Sequence, residues 1–204
     1  MSALIFDWDN TLVDTIPVIK HSLLDTLNEF NYDGEKDKII SSVGFNNSMR
    51  EGFPALFGDD WEKASEYFYH RYDKNKDLIN KMAGFDEVID YLKNTDIPIA
   101  INSNKRQDLL ESEINRFEIN DIFDIVVGSG TCENDKPAPD GVNKICNHWK
   151  VNPNPDIYYI GDSEVDYKTA KNSGVSNILV SDKNDINTVT CKNLTELVNY
   201  LKNI

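Results

Sequence analysis

The chain has 204 residues, 40 % of them apolar and 27 % charged, with 21 basic against 35 acidic residues and a net charge of −14. That size fits one large domain or a core with a small insert, and the composition is that of an ordinary globular protein. No clustered basic face is available for nucleic acid or an anionic membrane surface, and no apolar run approaches the roughly 20 residues that span a bilayer.

The start of the chain lacks the basic residues and long apolar segment of a signal peptide, so a cytoplasmic location is expected. Cys132, Cys146 and Cys191 are widely spaced and odd in number, which suits reduced thiols better than disulfides or zinc. His21, His70 and His148 form no pair at ligand spacing.

In chain order, the apolar run Ala3-Leu4-Ile5-Phe6 reads as a strand ending in Asp7-Trp8-Asp9-Asn10-Thr11. Side chains two apart on a strand share a side, so Asp7 and Asp9 sit together at its exit. Like charges that close need a cation or a shared proton between them. The pattern indicates a metal site or an acid/base pair, although aspartates also serve turns after strands.

Residues 15 to 82 contain no convincing strand. Pro17 suits a first helical turn, and Ile16, Ile19, Leu23, Leu27 and Phe30 form an apolar stripe around it. Asp59 and Glu62 fit a capping box ahead of a second long helix, expected over 60–81. Gly44, Gly52, Pro54 and Gly58 mark breaks between the two. This segment is expected to be a helical insert, with Met82-Ala83-Gly84 as the return hinge and Phe85, Val88, Ile89 and Leu92 opening a core helix.

Strands and helices then alternate. Strands are expected at 97–102, 124–128, 157–160 and 177–180. Helices are expected at 106–117, 140–149, 163–173 and 194–201, with Gly174 as a left-handed cap. Continuously apolar strands alternating with helices indicate a parallel sheet covered on both faces, whose ligands gather at the carboxyl ends of the strands.

Three further segments lie at such ends. Ser103 and Asn104 follow a strand, where a hydroxyl, a backbone N–H and a helix start can hold a phosphate oxygen or merely cap the helix. Lys136 stands beside Pro137 and Pro139, which stiffen the chain around one ammonium. Gly161-Asp162-Ser163-Glu164-Val165-Asp166 places two acids one turn apart at a helix start. They are favourable capping groups and equally a hard-cation site of the kind Mg²⁺ takes. Gly128-Ser129-Gly130 lacks the third glycine of a dinucleotide loop.

In this order and spacing, the four segments resemble the motifs of the haloacid dehalogenase superfamily of phosphohydrolases, particularly its phosphoglycolate-phosphatase-like branch. The resemblance covers essentially the whole chain. It departs at Trp8 and Asn10, where members usually carry Leu and Gly; Asn tolerates positive φ better than most residues.

The resemblance implies an α/β fold, a Rossmann-like parallel sheet core flanked by helices (1–14 and 83–204), with an inserted all-helical cap domain (15–82). It implies Asp7 as nucleophile and Asp9 as acid and base. Mg²⁺ would be held by Asp7, Asp162 and the carbonyl of Asp9, with Asp166 ordering a bound water or the lysine. Asn10, Thr11, Ser103, Asn104 and Lys136 would bind phosphate, and His21, Phe45, Asn46 and Arg50 would meet the rest of the substrate. The expected activity is hydrolysis of a small phosphorylated metabolite by a monomer or small homo-oligomer. A phosphomutase using the same residues, or a catalytically idle ligand-binding member, are the alternatives.

Overall fold

The computed structural model describes residues 1–42, 49–183 and 186–204. In chain order its elements are β1 (Ala3–Phe6), β2 (Val13–Asp14), α1 (Ile16–Glu29), α2 (Lys36–Ser42), α3 (Met49–Phe57), α4 (Trp61–Lys74), β3 (Asn80–Lys81), α5 (Phe85–Lys93), β4 (Ile99–Arg106), α6 (Gln107–Arg116), β5 (Ile125–Ser129), α7 (Asp140–Trp149), β6 (Ile157–Gly161), α8 (Glu164–Ser173), β7 (Ser176–Val180), β8 (Val189–Cys191) and α9 (Leu194–Leu201). The chain divides into two compact units, Met1–Val13 with Lys81–Ile204, and Asp14–Asn80. The two crossings between them, β2 and β3, pair as a two-stranded ribbon.

The larger unit is built on a six-stranded sheet in the order β5-β4-β1-β6-β7-β8, with every pairing parallel. All four residues of β1 are buried, as a strand covered on both faces must be. On one face Ala3 and Ile5 pack with Val142, Ile145 and Cys146 of α7 and Ala170 of α8. Elsewhere in the unit Trp8 and Phe85 meet Phe117 ring to ring, at 6.0 and 5.5 Å. The strand order runs outward from β1 in both directions, to β4 on one side and β6 on the other. That reversal opens a crevice beyond the carboxyl ends of β1, β4 and β6.

The smaller unit contains α1 to α4, with Val18, Leu23, Leu27, Phe53, Ala64, Phe68 and Tyr72 buried. Its aromatic rings interlock: Phe53 lies 5.2 Å from Phe57 and 5.4 Å from Phe68. The expected capping box at Asp59 and Glu62 does not form. Asp60 is the N-cap of α4, makes no side-chain cap bond, and pairs with Lys63 instead. Helix α4 also stops at Lys74, short of the expected 81. Gly52 and Pro54, read as breaks, lie inside α3. Gly44 lies outside the described residues.

Candidate active site

Four segments converge at the carboxyl edge of the sheet. Asp7 is the first residue past β1, and its N–H still donates to Ile160 at 2.8 Å. Ser103 lies in the last half of β4, Lys136 in the loop after β5, and Asp162 directly after β6. Parallel pairing of β1 with both β4 and β6 therefore brings their exits side by side.

Asp7 is 4 % exposed. The Lys136 ammonium donates to Asp7 Oδ1 at 2.6 Å and to Asp166 Oδ1 at 2.7 Å, and lies 5.8 Å from the centre of the Tyr159 ring. Thr11 donates its hydroxyl to Asp7 Oδ2 at 3.1 Å, and that hydroxyl also lies 3.4 Å from Asp162 Oδ1. Oxygens of Asp7, Asp162 and Asp166 all lie within 4.8 Å of one another. Three carboxylates against the Lys136 ammonium leave a local charge of −2 when all are ionised.

The electrostatic cost of that crowding appears in the acids. Burial pushes the Asp7 carboxyl up to about 7 from the ordinary 3.8; Asp166 and Asp9 add to the rise, and Lys136 opposes it. Burial, then Asp166 and Asp7, hold Asp162 well above the carboxylate range. Burial works against the Lys136 ammonium, but Asp166 and Asp7 outweigh it and raise its pKa well above the lysine value. A divalent cation fits this donor set, because it would cancel the surplus of two charges with hard oxygen ligands.

Asp166 supports the lysine. Its Oδ1 is taken by Lys136, and its Oδ2 accepts from the Ser163 N–H at 3.1 Å and hydroxyl at 2.6 Å. With Asp166 N–H returning to Ser163 Oγ, this is a full capping box on α8. Gly161 is required beside it, since a methyl built there would run into the Asp166 side chain.

Several residues expected to bind phosphate have other partners. The Asn104 side chain accepts from Lys136 N–H at 2.8 Å and donates to the Lys136 carbonyl at 3.0 Å, so it braces the lysine loop. The Asn10 N–H donates to the Val13 carbonyl at 2.6 Å. Asn10 takes a positive φ of 62°, a conformation Asn tolerates better than most residues. Thr11 faces Asp7, as above. Ser103, 3 % exposed, keeps its hydroxyl 3.5 Å from Asp9 Oδ2.

His21 lies on α1, 4.0 Å from Asp25. Arg50 falls within α3, its side chain outside what is described, and Phe45 and Asn46 lie outside the described residues.

Sequence reasoning missed one part of this centre. Lys105 pairs with Asp9 Oδ1 at 2.6 Å and with both Glu113 oxygens at 2.8 and 2.7 Å. The Trp8 indole N–H donates to Glu113 Oε2 at 2.7 Å. The available signal was an acid inside an apolar stripe: Glu113 is buried on α6 beside Leu110 and Ile114.

The parallel sheet of this α/β unit places the carboxylate–lysine centre, the candidate site, at its carboxyl edge. A family model for haloacid dehalogenase-like hydrolases matches residues 4–180, and the chain belongs to that family. A phosphoglycolate phosphatase of Rhodobacter capsulatus is 29 % identical over 193 residues, spanning 88 % of this chain and 84 % of the relative. Pyrophosphatase PpaX of Bacillus cereus is 24 % identical over 183 residues, spanning 89 % and 83 %. A solved hydrolase of the superfamily from Ehrlichia chaffeensis is 27 % identical and similar at a TM-score of 0.69, over 98 % of this chain and 96 % of that one.

Proposed function

We propose that this chain is a Mg²⁺-dependent phosphatase of small phosphorylated metabolites that works through an aspartyl-phosphate on Asp7. One observation carries the reading. The Asp7 carboxylate pairs with a buried ammonium and lies close to two further carboxylates, Asp162 and Asp166, with a fourth acid, Asp9, close enough to raise its pKa. Asp7 and Asp162, with the Asp9 carbonyl, would hold Mg²⁺, which supplies the charge that lets an anionic carboxylate meet an anionic phosphate.

An Asp7 oxygen forms the new bond to phosphorus as the ester P–O bond breaks toward the leaving oxygen. Asp9 gives that oxygen its proton. Asp9 then takes a proton from water, whose oxygen bonds to phosphorus while the Asp7–phosphorus bond returns its electron pair to Asp7. Inorganic phosphate leaves, and both aspartates return to their starting state. Lys136 and the Ser103 hydroxyl stabilise the phosphoryl oxygens. The helical unit, with His21, is our candidate for the cap that selects the leaving group.

The names of the relatives offer two bond types, a monoester and a phosphoanhydride. The monoester is favoured, because an alkoxide leaving group needs a proton donor and Asp9 is held at the site by the buried Lys105. The test is phosphate release from 2-phosphoglycolate, sugar monophosphates and pyrophosphate, with and without Mg²⁺. Release should need Mg²⁺ and fall at least about 10³-fold in Asp7→Asn. Full activity in Asp7→Asn, or no release from any of these compounds, would defeat the reading.

A further inference from the structure

We infer that Lys105, clamped by Glu113 and Trp8, is a positioning residue that aims Asp9 at the leaving group. The inference rests on the acid and base role proposed for Asp9.

The chain of contacts begins at Trp8. Trp8 is completely buried, between the two aspartates that leave β1. Its size carries the indole N–H to Glu113 on α6, a reach no leucine has. Glu113 is itself buried, and a buried carboxylate must be paired and hydrogen-bonded to persist. Lys105 satisfies it with contacts to both oxygens, leaving the indole to bind Oε2 as well.

With its stem buried and its head held by Glu113, the Lys105 ammonium is a fixed point. It holds Asp9 Oδ1 at 2.6 Å. The other oxygen, Oδ2, then lies toward the Ser103 hydroxyl, the group proposed to hold a phosphoryl oxygen. Lys105 thus fixes one carboxylate oxygen and sets the other beside the Ser103 hydroxyl. Removing the ammonium takes this fixed point away from Asp9, at a position only partly buried. Displacing a reacting group by about 1 Å can cost on the order of 10²-fold in rate.

The proton that Asp9 transfers matters most when the leaving oxygen is basic. In the first step Asp9 Oδ2–H gives its proton to the ester oxygen as that oxygen takes the P–O electron pair. 4-Nitrophenolate leaves without help, whereas phenolate and an alkoxide do not. Misaiming Asp9 should therefore slow poor esters selectively, which general loss of structure does not do.

The experiment compares kcat/KM on 4-nitrophenyl phosphate, phenyl phosphate and 2-phosphoglycolate for wild type, Lys105→Met, Lys105→Arg and Asp9→Asn, all with Mg²⁺. A Lys105→Met, Glu113→Gln double variant covers the case in which an unpaired Glu113 unfolds the single one. Lys105→Met and the double variant should lose about 10- to 100-fold on phenyl phosphate, the range seen when supporting partners are removed, but much less on 4-nitrophenyl phosphate. Lys105→Arg should recover most of the loss. An equal loss on every ester, or no loss, overturns the role of Lys105. If Asp9→Asn shows the selectivity and the Lys105 variants do not, the tether fails while the function stands. If Asp9→Asn is itself unselective, the acid role of Asp9 fails and the tether with it.

Discussion

Asp7→Asn should stabilise the metal-free protein while abolishing its chemistry. Asp7 titrates near 7 in the folded chain and near 3.8 when exposed. Between those values the folded state holds a proton that the unfolded state has lost. Stability therefore falls as pH rises from about 4 to 7, and the full cost is felt above 7. At about 1.4 kcal/mol per pH unit, that gap amounts to about 4 kcal/mol. Asparagine keeps the shape and removes the charge, and Lys136 keeps Asp166 as partner at 2.7 Å. Allowing for an amide N–H₂ beside the ammonium, a gain of about 2–4 kcal/mol is expected at pH 8, or about 5–10 °C in Tm. The assay is calorimetry at pH 5 and pH 8, with and without Mg²⁺. The gain should shrink at pH 5, and wild type alone should be strongly stabilised by Mg²⁺, by about 2.7 kcal/mol at one hundred times its Kd. A variant less stable than wild type at pH 8 without metal, or equally responsive to Mg²⁺, would refute the reasoning.

Lys136→Met leaves Asp7 and Asp166 buried without their common cation. Urea melts should show a loss of about 3–5 kcal/mol, partly restored by Mg²⁺, and phosphate release should fall at least about 10²-fold. Gly161→Ala should displace Asp166 and with it the lysine. Activity should drop in parallel with a lower Tm, and a crystal structure would show the Ser163–Asp166 capping bonds broken.

The larger unit was legible because its strands are continuously apolar and its helices periodic. Helices α7 and α9 match their expected spans, α8 differs by one residue, and Gly174 is left-handed at φ 74° as expected. Three of the four candidate segments were legible as polar residues past strand ends, but Ser103 and Asn104 lie inside β4, which runs to Arg106, beyond the expected end at 102. What escaped was set by tertiary contacts. The helices at 36–42 and 49–57 are short, and α3 carries a proline and a glycine that read as breakers. The three-residue β8 is too short to show a period. The bracing role of the Asn104 side chain escaped because its partner, the Lys136 backbone, is 32 residues away. Glu113 was overlooked because its partners lie on two other segments, at Trp8 and Lys105.

Asp166 closes the first turn of α8 with one oxygen and steadies the Lys136 ammonium with the other. Unwinding that turn, even transiently, releases the ammonium and leaves Asp7 among its unbalanced neighbours. Inactivation on heating should then begin with local fraying, ahead of collapse of the sheet, and amide exchange at the start of α8 would time the loss of turnover.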